Sequence, residues 1–209
     1  MTYVSAILTL LLCYGDRLRL FLFSKTISGD LLKVIDLSYG KLKTLQKVKL
    51  RTTQKLRVYA SLSGLLFPVI LALVLGIYTV YRIPGSLTTY FLLLSFLTIT
   101  YNRFSAMVFE KGILVSLASS IAATVALVLA VGTHYTLDPN TLFMIAYSVS
   151  ALATLVGVDL LNLRYVSFFK TRSVILGGYG VRDAIFLIPA LSSITTKTIY
   201  TLLTLFSYT

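Results

Sequence analysis

Long apolar runs separated by short polar clusters organise the chain, and several approach the roughly 20 residues a helix needs to cross a bilayer. The first, YVSAILTLLLCYG running into DRLRLFLF, predicts a span over Tyr3 to Phe23. The clearest, YASLSGLLFPVILALVLGIYTVY, predicts a span over Tyr59 to Tyr81 with tyrosine anchors at its ends and a kink at Pro68. Further spans are expected over Leu87–Tyr101, from beyond Arg103 to Gly132, and from Thr141 to near Leu163. A sixth is expected to start near Ser173, and a seventh to run from Thr195 to the C-terminus. The expected fold class is all-α: a polytopic membrane helical bundle of about seven spans, with six as the alternative. Residues 1–209 then form a single transmembrane domain.

Residues 24–58 break this pattern. In KLKTLQKVKLRTTQKLRVY, Leu42, Leu45, Val48 and Leu56 recur at loosely helical spacing, which predicts an interfacial helix; Lys47 to Arg51 also alternates like a strand. Charge sharpens the picture. Of 19 basic residues, 11 lie between Arg17 and Arg57, and Leu37 to Val58 carries seven with no acid. By the positive-inside rule this segment is cytoplasmic. Alternating from there places the loops at Asn102–Lys111 and Arg164–Arg172 inside with their basic residues, and Thr133–Asn140, which has none, outside. Only Arg82 stands against the rule. The expected location is the cell membrane, multi-pass, with anionic lipid headgroups as the partner of residues 41–57. Nucleic acid is not expected, because lipid already accounts for the cations.

Composition excludes an ordinary soluble domain: 57% of residues are hydrophobic, 12% are charged and the mean hydropathy is +0.88. Cys13 is alone, so no intrachain disulfide forms. The N-terminus lacks a basic n-region and a small-residue cleavage site, so its apolar run reads as a retained span.

The chemistry narrows to two acids. Asp16, Asp30 and Asp36 accompany the basic segment, Glu110 sits beside Lys111, and Asp138 precedes Pro139 as a turn cap. Asp159 and Asp183 remain, each inside an apolar segment. A carboxylate at mid-bilayer costs about 2.5–3.5 kcal/mol and marks a functional or paired position. Counting from the expected span ends, Asp159 lies roughly 27 Å from the outer face and Asp183 about 15 Å from the inner one. The glycines Gly177, Gly178 and Gly180 weaken the helix before Asp183; a helix starting after Gly180 would move Asp183 toward Asp159. Two such carboxyls can share one proton and supply both an acid and a base. The plainer readings are a helix-capping Asp183, glycines that merely allow close packing, and an Arg182 that snorkels or pairs with an aspartate. No metal or cofactor is expected: His134 has no cluster of ligands around it. GYGVRD resembles a phosphate loop only in passing, since no strand is expected before it.

LVGVDLLNL (Leu155–Leu163), followed by LGGYGVRDAIFL (Leu176–Leu187), resembles the two-part signature of the domain-of-unknown-function 1614 family of bacterial and archaeal polytopic membrane proteins. Asp159, Leu160, Leu161 and Leu163 match its first part; Gly177, Gly178, Gly180, Asp183, Ile185 and Phe186 match its second. Val158, Tyr179 and Ala184 depart from it. The signature region is residues 141–192. A more distant likeness links the pair to the Gly-x-Gly-Asp membrane aspartyl proteases, from which Val181 and Arg182 separate this sequence by intervening between Gly180 and Asp183.

Three functions follow as expectations. The first is an intramembrane aspartyl protease-like enzyme acting on membrane-anchored peptides. Asp159 and Asp183 would be its catalytic pair, and Gly177, Gly178, Gly180, Arg182 and Asn162 would position the substrate or backbone. The second is a proton- or cation-coupled transporter or channel-like protein using the same aspartates. The third is a non-catalytic subunit of a membrane complex.

Overall fold

The computed structural model describes residues 19–39, 42–83, 85–109, 112–166, 173–179 and 182–207. The chain is not all-α. It begins with an antiparallel ribbon of two long strands, β1 (Arg19–Tyr39) and β2 (Leu42–Ser61). Their register runs without interruption from Tyr39↔Leu42 to Phe23↔Val58, shifts between Phe23 and Phe21, and ends at Arg19↔Ser61. From Leu42 onward, the interfacial helix expected in this basic segment is therefore a strand. Lys43, Lys47, Lys49, Arg51, Lys55 and Arg57 occupy alternate positions, which is the period of a strand. Of the span expected over Tyr3–Phe23, residues 1–18 lie outside the described residues, and 19–23 begin β1.

A π-helical turn, π1 (Leu62–Leu66), joins β2 to helix α1 (Phe67–Arg82). The Ser61 hydroxyl accepts the Gly64 N–H at 3.2 Å and starts the turn. Pro68 falls in the first turn of α1, where its fixed φ and missing N–H are tolerated, so it marks a helix start and not the expected kink. Helix α2 (Gly85–Ser105) follows, then a short hairpin of β3 (Met107–Phe109) and β4 (Gly112–Leu114), then helix α3 (Leu117–Tyr135). Helix α4 (Pro139–Leu152) continues into a second π-helical stretch, π2 (Ala153–Leu160). Helix α5 (Leu163–Val166) is one turn long. Strand β5 (Ser173–Leu176) adds in parallel to β2, giving the order β1-β2-β5, and the last helix, α6, covers Ala184–Ser207.

Among the described residues, four helices are long and apolar enough to cross a membrane: Leu62–Arg82, Leu117–Tyr135, Pro139–Leu160 and Ala184–Phe206. The expected sixth and seventh spans are one helix, because VIL of the apolar run after Ser173 is taken by β5. The segment expected as a third span is helical but rich in Ser and Thr, and it is not among the four.

The bundle is apolar on its outside as well as in its core, where small hydroxyl residues are interspersed. Ile70, Val74, Ile77, Leu92, Phe96 and Phe206 are exposed, whereas Thr79, Thr98, Ser148, Thr154, Ser192 and Thr196 are completely buried. An apolar outer surface matches hydrocarbon, and small hydroxyl residues let helices approach closely inside. Half of those hydroxyls donate to a carbonyl one turn back, as Thr98 does to Leu94 at 2.7 Å and Thr154 to Ser150 at 2.8 Å. Helix α4 with π2 is the central post: 72% of its apolar window is buried, against 39%, 28% and 39% for the other three. It packs on α1, α2, α3 and α6. Ser148 donates to the Ala72 carbonyl at 3.0 Å, and Gly132 leaves the room that Leu142 fills. This is a membrane-embedded protein.

Candidate functional site

The site lies where the ribbon meets the bundle, and a small apolar cluster builds it. Val58 and Ala60 of β2, Leu65 of π1, Leu163 after π2, Leu176 of β5 and Ile185 at the start of α6 pack together. Leu163 follows Asp159 by four residues and Ile185 follows Asp183 by two, so burying both leucine and isoleucine here draws the two halves of the signature to one place. Phe186 reinforces it by stacking on Phe67 at 6.4 Å.

Asp159 sits near the end of π2, and the carboxylates of Asp159 and Asp183 are close enough for their charges to interact. π-Helical turns are rare and recur at functional sites, because widening the helix re-aims its side chains. Asn162 secures the end of this one: its amide donates to the Gly157 and Val158 carbonyls, each at 2.9 Å. Gly157 itself lies against α2 so tightly that a Cβ would stand 2.5 Å from the Ile99 carbonyl oxygen.

Asp183 is not ten residues into a helix; it is the residue before α6. Its carboxylate accepts the Ile185 N–H at 3.2 Å and the Tyr179 N–H at 3.4 Å. Its carbonyl accepts Phe186 and Leu187 and so opens the helix. Burial raises its carboxyl above the usual carboxylate range, and backbone N–H groups of Ile185, Tyr179 and Ala184 offset only part of that.

The glycines divide by role. Gly177 has a left-handed φ of +68°, and a Cβ there would lie 2.4 Å from the Gly64 backbone carbon, so it clamps the end of β5 onto π1. Gly178 is exposed, its nearest Cβ neighbour being the Ile175 carbonyl at 3.1 Å. Gly180 lies outside the described residues. Arg182 is exposed, and no charge of its own acts on either carboxyl. Strand β5 does precede the glycine turn, contrary to expectation. Even so, Asp183 holds the N-terminal N–H groups that a phosphate would need, so the turn is not an anion cradle.

The sequence places Asn102 at the start of an expected inner loop, just beyond a span. It is completely buried on α2 beside Gly157, and among the described residues neither atom of its amide has a hydrogen-bond partner. A polar residue closing an apolar run was the only signal in the sequence. Among the described residues, no three His, Cys, Asp or Glu side chains gather as metal ligands.

Fold and site together define a multi-span membrane protein with two interacting carboxyls at one end of its bundle. The family described as "Protein of unknown function (DUF1614)" matches residues 24–195, and the chain belongs to it. No curated protein and no solved structure matches the chain.

Proposed function

We propose that the protein is an intramembrane aspartyl protease-like enzyme, with Asp159 and Asp183 as its acid–base pair and a membrane-anchored peptide as its substrate. The observation that carries this reading is the interaction of two carboxylates from separate elements, with Arg182 neutralising neither. Two like charges that act on each other disfavour the doubly ionised state, which leaves one proton for the pair. The ionised carboxylate takes a proton from water as the water oxygen bonds to the scissile carbonyl carbon. The protonated partner gives its proton to the carbonyl oxygen. Collapse of the tetrahedral intermediate then breaks the C–N bond, and a carboxyl proton goes to the leaving nitrogen. Exposed Gly178 leaves space for a peptide backbone beside the pair, and Asn162 and Gly177 hold the two carriers in place. In this reading the ribbon end of the bundle, with its basic residues, faces the cytoplasm of the cell.

A second reading, a proton- or cation-coupled transporter, rests on α6. Ser192 and Thr196 are buried there without hydrogen-bond partners among the described residues, and Pro189 within the helix removes the N–H that the Ile185 carbonyl would otherwise accept.

Replacing Asp159 and Asp183 singly by Asn in reconstituted protein, and following a library of single-span peptides by mass spectrometry, tests the choice. The protease reading expects cleavage by the wild type and loss of at least 100-fold in either variant, on the order of an essential acid–base group. Undiminished cleavage in either variant contradicts it. No cleavage by the wild type, with aspartate-dependent proton flux across the vesicle, replaces it with the transporter.

A further inference from the structure

Two helices leave the carboxyl pair side by side. Strands β2 and β5 are parallel neighbours, so α1, reached through π1, and α6 both run away from the ribbon end. Each packs closely on the central α4, yet their contact with each other is slight. Near the ribbon end two rings bridge this seam: Phe67 and Phe186 stack with centroids 6.4 Å apart and planes 24° apart. Both side chains are only half-buried. Ile70, Val74 and Tyr78 follow Phe67 on the same side of α1, and all three are exposed. On α6 the residues that follow Phe186 at helical spacing, Ala190 and Ser193, are small. One wall of the seam is thus bulky and apolar, and the other leaves room for a close approach.

The ring pair stands next to the carboxyls. Phe186 is three residues beyond Asp183 and gives its N–H to the Asp183 carbonyl at 3.0 Å. Leu155, one turn before Asp159, packs on the cluster that holds Leu65 and Ile185, so this side of π2 looks toward the same seam. Asp159 and Asp183 are themselves half-buried. Pro189 supplies a hinge. It takes a backbone hydrogen bond out of α6 just after Phe186, which weakens the helix there and lets its first turn tilt. Gly177 clamps the chain on the other side of Asp183.

We propose that the Phe67–Phe186 pair is a lateral gate, passed from the bilayer by the transmembrane helix of a substrate on its way between α1 and α6 to the carboxyls. The proposal rests on the protease reading. A membrane helix is the occupant that fits, because its apolar side chains lose nothing against Ile70 and Val74, whereas a soluble peptide would bury polar groups there. Separating one stacked pair is a small cost, which the contacts of the arriving helix offset.

The test installs a photoreactive benzoylphenylalanine in full-length protein at Phe67, at Phe186, or at Leu92, an exposed residue of α2. Each protein is reconstituted with a biotin-labelled single-span peptide and illuminated. Attachment of the peptide is expected to be several-fold greater at positions 67 and 186 than at 92. Equal attachment at all three overturns the proposal, as does attachment to a second copy of the chain in place of the peptide. A second arm uses Phe67→Cys with Phe186→Cys in a Cys13→Ser background, the two thiols being joined by a short reducible bridging reagent. Cleavage of the peptide is expected to fall several-fold on bridging and to return on reduction; cleavage that ignores the bridge overturns the gate. Should the thiol pair misfold, Phe67→Leu is read in its place: with the stack removed the peptide is expected to be cleaved faster, and slower cleavage contradicts the proposal. Attachment at 67 and 186 by protein that cleaves nothing sinks the protease reading and leaves the entry seam standing, so the two failures are told apart.

Discussion

Asp138 and Asp183 perform the same structural task at opposite ends of the bundle, with opposite electrostatics. Asp138 precedes α4 and accepts the N–H groups of Asn140 and Thr141, each at 3.0 Å, along with the Thr141 hydroxyl. Burial pushes its carboxyl up, but those hydrogen bonds and the Arg82 guanidinium outweigh it and hold the group below the usual range. Asp183 precedes α6 with longer backbone contacts, at 3.2 and 3.4 Å to Ile185 and Tyr179, and there burial outweighs the backbone N–H groups. A helix cap needs only an acceptor, which an ionised carboxylate provides best. Hydrogen bonds favour the ionised form of Asp138, whereas burial disfavours the ionised form of Asp183, which a cap does not require.

The largest expected way to break this contrast is Gly177→Val. A β-branched residue at φ +68°, driven into the Gly64 backbone, should cost about 2–5 kcal/mol and release the Asp183 end while α4 keeps its cap. Chemical unfolding in detergent measures it; Gly178→Ala, with an ordinary φ and a looser neighbour, should cost less than about 1 kcal/mol.

Next come the caps. Asp138→Ala should lose about 1 kcal/mol at neutral pH. Asp183→Asn keeps an acceptor and removes a buried charge, so it should be no less stable than wild type at neutral pH while losing any cleavage activity. A marked loss of stability in Asp183→Asn would show that the charge serves the cap.

The pH dependence separates the two by sign. The lowered Asp138 contributes stability that is complete above the unfolded carboxyl value of about 4 and is lost as pH falls through its folded value. The raised Asp183 contributes stability that is complete below about 4 and is lost as pH rises through its folded value. Unfolding curves of wild type, Asp138→Asn and Asp183→Asn across acid to neutral pH should therefore diverge in opposite directions. Arg182→Gln should do least, shifting stability by under about 0.5 kcal/mol, because its side chain is exposed and supports neither acid.

The site's residues could be read from the sequence, and its architecture could not. Asp159 and Asp183 stand out because charges in apolar segments are costly, and the glycines before Asp183 marked a break in the helix. The ribbon was missed because Leu42, Leu45 and Val48 mimic helical spacing in a segment rich in Lys, Leu and Gln, all good helix formers; the alternation of lysines was the truer signal. VIL after Ser173 looked like the start of a span, since a short apolar run does not distinguish a buried strand from a helix. The clamp between Gly177 and Gly64 depends on residues more than 100 positions apart, and no local pattern announces it.

Carboxyl NMR of the reconstituted protein, with its aspartates isotopically labelled, tests the central claim most directly. The account predicts that Asp183 titrates above the ordinary carboxylate range, Asp138 below it, and that Asp183→Asn displaces the titration of Asp159. Contradiction would be an Asp183 titrating in the ordinary range, with Asp159 indifferent to its replacement.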